Sequence, residues 1–129
     1  MVQTFHTDSA PAAIGPYSQA TRHGDTVYVS GQIPIDPATG EFVEGGVVEQ
    51  ARQVLTNVSA VLEAAGTDLG HALQVTVLLA SMDDFAAVNE VYGTFFSEPY
   101  PARMAFAAAA LPRGAKVEIA VIAAAGDGA

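Results

Sequence analysis

A long amphipathic repeat constrains the fold of this chain more than any other feature of its sequence. Apolar residues recur at three- and four-residue steps over residues 47–65, which predicts a helix with one buried face. Gly66 is well placed to end this helix. A second helix is predicted to begin near Ser81, which can cap it, and to stop before Pro99.

Segments rich in β-branched and aromatic residues surround the two helices. Strands are predicted over residues 17–23, 26–30, 72–80, 103–110 and 115–124, and the segment up to Pro16 is expected to be extended or irregular. Gly24-Asp25 is a turn signal that joins the first two strands in a hairpin. The order of strands, helix, strand, helix and strands predicts an α+β fold, a two-layer domain with two helices on one face of a mixed β-sheet.

The length and the apolar content of the chain bear on its assembly. A chain of 129 residues fits one domain, which would span residues 1–129. Half of the residues are apolar, and the predicted strand is apolar on both sides over residues 104–111. Since the helices cover only one side of that strand, a neighbouring subunit is expected to cover the other. We therefore expect a homo-oligomer.

The charge of the chain argues against several kinds of partner. Fourteen acidic residues face five scattered basic ones, a formal net charge of −9, whereas nucleic-acid binding relies on clustered Lys and Arg. The N-terminal residues lack the basic and apolar regions of a signal peptide, and the longest apolar runs fall far short of the ~20 residues of a spanning helix. We expect a soluble, cytoplasmic protein with no nucleic-acid or membrane partner.

Several kinds of catalytic and cofactor site lack their motifs. The chain has no cysteine, which excludes disulfides and thiolate catalysis. His6, His23 and His71 lie far apart without metal-ligand spacing, so no metal site is expected. Neither a phosphate-binding glycine loop nor a GxSxG elbow is present. We expect no metal and no organic cofactor.

Arg103 and Glu118 are the two residues best able to support chemistry. Arg103 precedes a run of apolar residues, where it is either a solvated strand end or an anchor for a carboxylate. The planar guanidinium group of arginine matches the geometry of a carboxylate. Glu118 interrupts an apolar strand, so its carboxylate is either exposed at a sheet edge or buried with a partner. On residue type alone, solvent exposure is the commoner state for both.

Three polar residues are weaker candidates. Tyr17 follows Gly15-Pro16, where a turn can aim its hydroxyl, although a half-buried strand aromatic is the simpler interpretation. Ser30 ends a strand and can bond the local backbone instead of a ligand. Asn89 lies on the second helix, where a solvent-facing side chain is the default.

A set of short motifs runs in order along nearly the whole chain, from about residue 4 to residue 124. They are APAAIGPYSQA at 10–20, VSGQIP at 29–34, DP at 36–37, TG at 39–40, ARQ at 51–53 with Asn57, DFA at 84–86 with Asn89, Tyr92, Phe95 and Phe96, PAR at 101–103, LP at 111–112, GA at 114–115 and VEI at 117–119. Together they resemble the RidA/YjgF family, also known as the L-PSP endoribonuclease or translation-inhibitor family.

The resemblance implies a fold, an assembly and an activity. The fold is of the chorismate-mutase type, assembled as a homotrimer whose sheets pack inward as a barrel and whose ligand clefts lie between subunits. The activity is hydrolysis of reactive 2-imino acids, 2-iminobutanoate and 2-iminopropanoate, to 2-oxo acids and ammonia. The older family name implies instead an RNA-directed endoribonuclease or translation inhibitor, and a non-catalytic ligand-binding or chaperone-like protein is a further alternative.

The resemblance also implies roles for individual residues. The arginine of the PAR motif, Arg103, holds the substrate carboxylate, and the glutamate of the VEI motif, Glu118, positions the attacking water. The cleft is lined by Tyr17, Ser30, Asn89 and the backbone of Gly31. Ala105 stands where the family commonly has a cysteine; it is expected to touch the ligand through its backbone, and any role of the thiol is lost.

Overall fold

The computed structural model describes residues 1–126 of the chain. Over these residues the strands are β1 (Gln3–Phe5), β2 (Ala20–His23), β3 (Thr26–Gln32), β4 (Ala72–Leu79), β5 (Ala102–Ala107) and β6 (Val117–Ala124), and the helices are α1 (Val47–Ala64) and α2 (Phe85–Phe95). Single 3₁₀ turns lie at Leu69–His71, Met82–Asp84 and Pro112–Gly114. The sheet has the order β1-β2-β3-β6-β4-β5, in which β4 and β5 are parallel and the other neighbours antiparallel.

Both helices share one buried core with the sheet. α1 contacts α2, β3 and β6, and its apolar repeat is buried from Ala51 to Ala65, together with alternate residues of β4 and β6. The buried residues of these strands are Val75, Val77, Leu79, Val117, Ile119, Val121 and Ala123. The predicted α+β fold, with two helices on a mixed sheet, is confirmed. Within residues 1–126, no helix combines the length and the apolarity needed to cross a bilayer.

The structure differs from the sequence prediction at several element ends. The short strand β1 was not predicted, and it pairs with β2 at the edge of the sheet. β2 starts only at Ala20, because a tight turn closed by a hydrogen bond from Tyr17 N to Gly15 O, 2.9 Å long, precedes it. Ser81 caps the 3₁₀ turn ahead of α2, since its Oγ accepts from Asp83 N at 3.1 Å. β5 ends at Ala107, three residues earlier than predicted.

The sheet face opposite the helices carries large apolar side chains that the chain itself leaves uncovered. Tyr28 on β3 and both Met104 and Phe106 on β5 retain between 46% and 49% of their accessible surface. The register places Phe106, Leu78 and Glu118 in one row across β5, β4 and β6, so these side chains share this open face. β5 is apolar on both sides, as predicted, but Ala105 is its only half-buried residue, so the helices cover much less of the strand than expected.

Candidate functional site

α2 and β5 together hold the guanidinium group of Arg103. Arg103 Nη1 donates a hydrogen bond of 2.6 Å to Asn89 Oδ1. The guanidinium carbon also lies 4.7 Å from the ring centroid of Tyr92 and 5.5 Å from that of Phe85. Because Phe85, Asn89 and Tyr92 stand three and four residues apart on α2, they face the same side of the helix. Arg103 is thus an exposed cation whose orientation is fixed by one hydrogen bond and two aromatic rings.

The held arginine faces a cleft of about 450 Å³, which we call the anchor cleft. It is lined by Asn89, Tyr92, Gly93, Tyr100, Pro101 and Arg103. Since Asn89 takes one donor of the guanidinium, several N–H groups of its planar fork remain for a ligand. This arrangement suits a carboxylate, which a guanidinium binds through two parallel hydrogen bonds.

Tyr92 combines a buried hydroxyl with a position directly beside Arg103. The residue is only 6% exposed, and its hydroxyl has no hydrogen-bond partner among residues 1–126. Desolvation raises the pKa of this phenol, while the nearby positive charge of Arg103 acts in the opposite direction. The ring of Tyr92 also stacks on Phe96, with 4.4 Å between the centroids. Tyr92 is therefore a fixed, neutral wall of the anchor cleft.

Glu118 stands in a second cavity, of about 470 Å³, which we call the glutamate cleft. The cavity is lined by Ile14, Tyr17, Ser30, Gly31, Ile33, Pro112 and Glu118. Within residues 1–126 the Glu118 carboxylate makes no hydrogen bond and no ion pair, and partial burial raises its pKa by desolvation. A partly dry, unpaired carboxylate with a raised pKa is suited to accept a proton.

The other members of the glutamate cleft shape the surroundings of this carboxylate. A methyl group added at Gly31 would overlap with Glu118 Oε2, so the missing side chain lets the carboxylate lie against the backbone. Ser30 Oγ donates to Ser18 O at 2.6 Å, which ties β3 to the preceding segment. Tyr17 is half exposed, and its hydroxyl accepts a long hydrogen bond of 3.4 Å from Ile14 N. The Tyr17 hydroxyl is therefore still able to donate a hydrogen bond to a further partner.

Arg103 and Glu118 lie on opposite faces of the sheet within one chain. Arg103 pairs with Val75, which pairs with the buried Val121 on the helix side. Glu118 is three residues from Val121 along β6, and an odd number of steps along a strand reverses the side on which a residue lies. The anchor cleft and the glutamate cleft have no lining residue in common.

The structure therefore divides the residues singled out from the sequence into two groups. Arg103 and Asn89 line the anchor cleft, whereas Tyr17, Ser30, Gly31 and Glu118 line the glutamate cleft. Ala105 lines neither; it is half-buried two residues along β5 from Arg103 and packs against the core.

Sequence reasoning missed the aromatic groups around the arginine. Phe85 and Tyr92 stand out in the sequence only as members of the family motifs, and Tyr100 and Gly93 belong to none of them. The available signal was the spacing of the two aromatic residues from Asn89, which places all three on one side of α2.

Two of the three histidines, His6 and His71, pair with nearby acids. His6 Nε2 lies 3.0 Å from Asp8 Oδ1, and His71 Nδ1 lies 2.8 Å from Asp68 Oδ1. The hydrogen bond from His71 lowers the pKa of Asp68. Over residues 1–126, no group of three His, Cys, Asp or Glu side chains is arranged to hold a metal ion.

Comparison with known proteins places the chain in a family. The fold is that of a small α+β protein in which Arg103 and Glu118 each line a separate cleft. The family model described as Endoribonuclease L-PSP matches residues 7–125. The chain belongs to this family, which is the RidA/YjgF family that its motifs resemble.

Similar proteins carry more than one name. RutC family protein y4sK of Sinorhizobium fredii is 55% identical over 122 residues, covering 95% of this chain and 97% of the relative. The 2-iminobutanoate/2-iminopropanoate deaminase of Mus musculus is 54% identical over 121 residues, covering 94% of this chain and 90% of the relative. The crystal structure of RidA from an Antarctic Psychrobacter matches with a TM-score of 0.91 and 51% identity, covering 95% of this chain and 98% of that one.

Proposed function

We propose that this protein is a deaminase that hydrolyses reactive 2-imino acids, such as 2-iminobutanoate and 2-iminopropanoate, to 2-oxo acids and ammonia. The observation that supports it most is the held guanidinium of Arg103, which has donors left over for a carboxylate. The deaminase name of the mouse relative agrees with this activity.

In the proposed mechanism Arg103 binds the substrate carboxylate and Glu118 handles the protons. Glu118 orients a water molecule and accepts one of its protons as the oxygen attacks the imine carbon. That proton is passed to the imine nitrogen, which gives a carbinolamine with an amino and a hydroxyl group on the same carbon. Glu118 then moves the hydroxyl proton to the amino group, the C–N bond breaks, and ammonia leaves as the C=O bond of the 2-oxo acid forms. Because 2-imino acids hydrolyse in water unaided, positioning of the reactants supplies the acceleration.

The two clefts must come from different subunits for this mechanism to operate. Since Arg103 and Glu118 lie on opposite sides of the sheet, one chain does not bring them to the same substrate. The uncovered apolar residues Tyr28, Met104 and Phe106 lie on the open face and supply a surface for assembly. We propose a closed homotrimer with a mass of about 40 kDa, three times 13.2 kDa, whose clefts lie between neighbours.

The remaining named residues have supporting roles in this proposal. The Tyr17 hydroxyl and the Gly31 backbone contact the substrate or its water from the glutamate side, and Ser30 holds β3 in place through its bond to Ser18. Asn89 keeps the guanidinium oriented. Ala105 contacts the substrate through its backbone, since its methyl group carries no polar atom. The mechanism uses neither a metal nor an organic cofactor, and its setting is the cytoplasm.

An RNA-directed activity, which the family description names, has less support in this chain. A net charge of −9 repels a polyanion, and Arg103 is the one charged residue in the anchor cleft. A ligand-binding or chaperone-like role without chemistry leaves the unpaired Glu118 carboxylate unexplained.

A coupled assay tests the proposed function. An amino-acid oxidase generates 2-iminopropanoate or 2-iminobutanoate in situ, and the rate of its loss is compared with and without the protein. We expect faster loss together with formation of the 2-oxo acid, and no cleavage of single-stranded RNA under the same conditions. If both imino acids disappear at the spontaneous rate in the presence of the protein, the deaminase proposal is wrong.

A further inference from the structure

The anchor cleft contains space beside Arg103 that no group of the described chain fills. Gly93 lines this cleft from an exposed position on α2, and a Cβ added there would meet no atom within 4 Å. Its backbone is not among the glycines with positive φ, so an alanine fits its conformation. Glycine inside a helix is less favourable than alanine. Nothing in the described part of the chain therefore requires a glycine here.

The residues around Gly93 give the space a definite chemical character. Gly93 stands one helical turn after Asn89, which holds Arg103, and follows Tyr92, whose ring lies beside the guanidinium. The cleft is also lined by Pro101 and by Tyr100, which is 61% exposed. Arg103 is the one charged residue that lines the cleft. The space is thus an aromatic, uncharged recess directly beside the carboxylate anchor.

We propose that this recess is the subsite for the side chain of the substrate, and that it admits large apolar or aromatic 2-imino acids. The inference rests on the proposed function and extends it, because it specifies which imino acids the same site accepts. The imine carbon bears the carboxylate and the side chain as neighbouring substituents. When the carboxylate is bound by Arg103, the side chain lies within reach of Gly93, Tyr100 and Pro101. The aromatic side chains that line the recess, and the space left by the missing side chain of Gly93, favour a flat or branched apolar group.

A size series at Gly93 tests the proposal. Gly93→Ala, Gly93→Val and Gly93→Leu add side chains of increasing size at a position where a Cβ meets no atom within 4 Å. The substrates are 2-iminopropanoate and the imine formed from phenylalanine, each generated by an amino-acid oxidase, and the readout is the ratio of their kcat/KM values. Ala86→Leu is the matched control, because it adds the same side chain to an exposed position of α2 outside the cleft.

We expect the ratio of the aromatic to the small substrate to fall progressively, by about ten- to a hundredfold in Gly93→Leu, as steric exclusion from a pocket predicts. Ala86→Leu should keep the parental ratio. Binding of the unreactive product 2-oxo-3-phenylpropanoate, measured by calorimetry, should weaken in parallel in Gly93→Leu. This second readout does not require catalysis, so it supports the subsite even if the parent protein fails to hydrolyse 2-iminopropanoate and the proposed function is lost.

Two results would overturn the proposal. One is a parental ratio and parental binding in Gly93→Leu. The other is a Gly93→Leu protein that elutes as a smaller species than the parent, because a neighbouring subunit then fills the recess instead of the substrate.

Discussion

Arg103 and Glu118 are separated by a single strand, β4, yet they lie on opposite faces of the sheet. Each lines its own cleft, and the two clefts share no residue. If both act on one substrate, the arginine of one subunit must meet the glutamate of another. Under the proposed mechanism, the assembly of subunits is therefore required for catalysis.

Mixing two impaired variants tests the shared cleft. Arg103→Ala and Glu118→Gln subunits, unfolded together and refolded in equal amounts, should regain roughly a quarter of the parental activity, because random assembly into closed rings leaves that share of the interfaces intact. Each variant refolded alone is the control. If the site were built within one chain, the mixture should recover no activity, because no chain in it has both Arg103 and Glu118.

Glu118→Gln should separate activity from stability. The variant keeps the shape of the side chain but cannot accept a proton, so kcat should fall by about a hundredfold. Desolvation of the carboxylate disfavours its charged form, so the neutral amide should leave the melting temperature unchanged or raise it. Kinetics and thermal unfolding at neutral pH measure both effects. Glu90→Gln on the exposed side of α2 is the control and should alter neither.

The raised pKa of Glu118 also predicts a pH dependence with a definite sign. The mechanism needs the carboxylate, so kcat/KM should fall as the pH falls through this pKa, and the acidic limb should lie above the ordinary glutamate value of about 4.3. Since the pKa is higher in the folded state than in the unfolded state, the contribution of Glu118 to stability decreases as the pH rises through the same window. A pH–rate profile with an acidic limb at or below the ordinary value would contradict this assignment.

Tyr92→Phe should increase stability. The change removes a buried hydroxyl that has no partner among residues 1–126 and keeps the ring beside Arg103. We expect the free energy of unfolding to rise by about 1 kcal/mol, the lower end of the penalty for an unsatisfied buried hydroxyl. Denaturant titration measures it. A decrease of similar size would show that the hydroxyl finds a partner in the assembled protein.

The sequence was sufficient to predict the layers of the fold because they depend on local periodicity. The apolar repeat over residues 47–65 and the β-type runs after it specify α1, β4 and their buried faces. Gly66 adopts a φ of 82° where α1 was predicted to end. Element ends were less predictable where nonlocal pairing decides them, as in β1, which forms only because β2 lies beside it.

The polar residues of the candidate site were predictable from the sequence, but its aromatic members and its geometry were not. The motifs identify Arg103 and Glu118, but the face on which each lies depends on the register of β5 and β6 against β4. The ring of Tyr92 under the guanidinium follows from the packing of α2 against β5, which no local pattern encodes.

The central claim is that Arg103 anchors the carboxylate of the substrate. Arg103→Ala removes both the charge and the planar guanidinium group. Arg103→Lys keeps the charge but not the paired donors, so kcat/KM should fall in both variants. A hydrogen-bonded charge pair of this kind is worth about 1.5–3 kcal/mol, which is about ten- to a few-hundredfold in kcat/KM. Arg52→Ala, on the exposed side of α1, is the matched control and should behave as the parent.

The most direct measurement is kcat/KM for 2-iminopropanoate at subsaturating concentration, on parent, Arg103→Ala and Arg52→Ala proteins shown by light scattering to have the same assembly. We predict a loss of about ten- to a few-hundredfold in Arg103→Ala alone. If a folded, fully assembled Arg103→Ala protein hydrolyses the imine as fast as the parent, Arg103 is a solvated strand end and the site lies elsewhere.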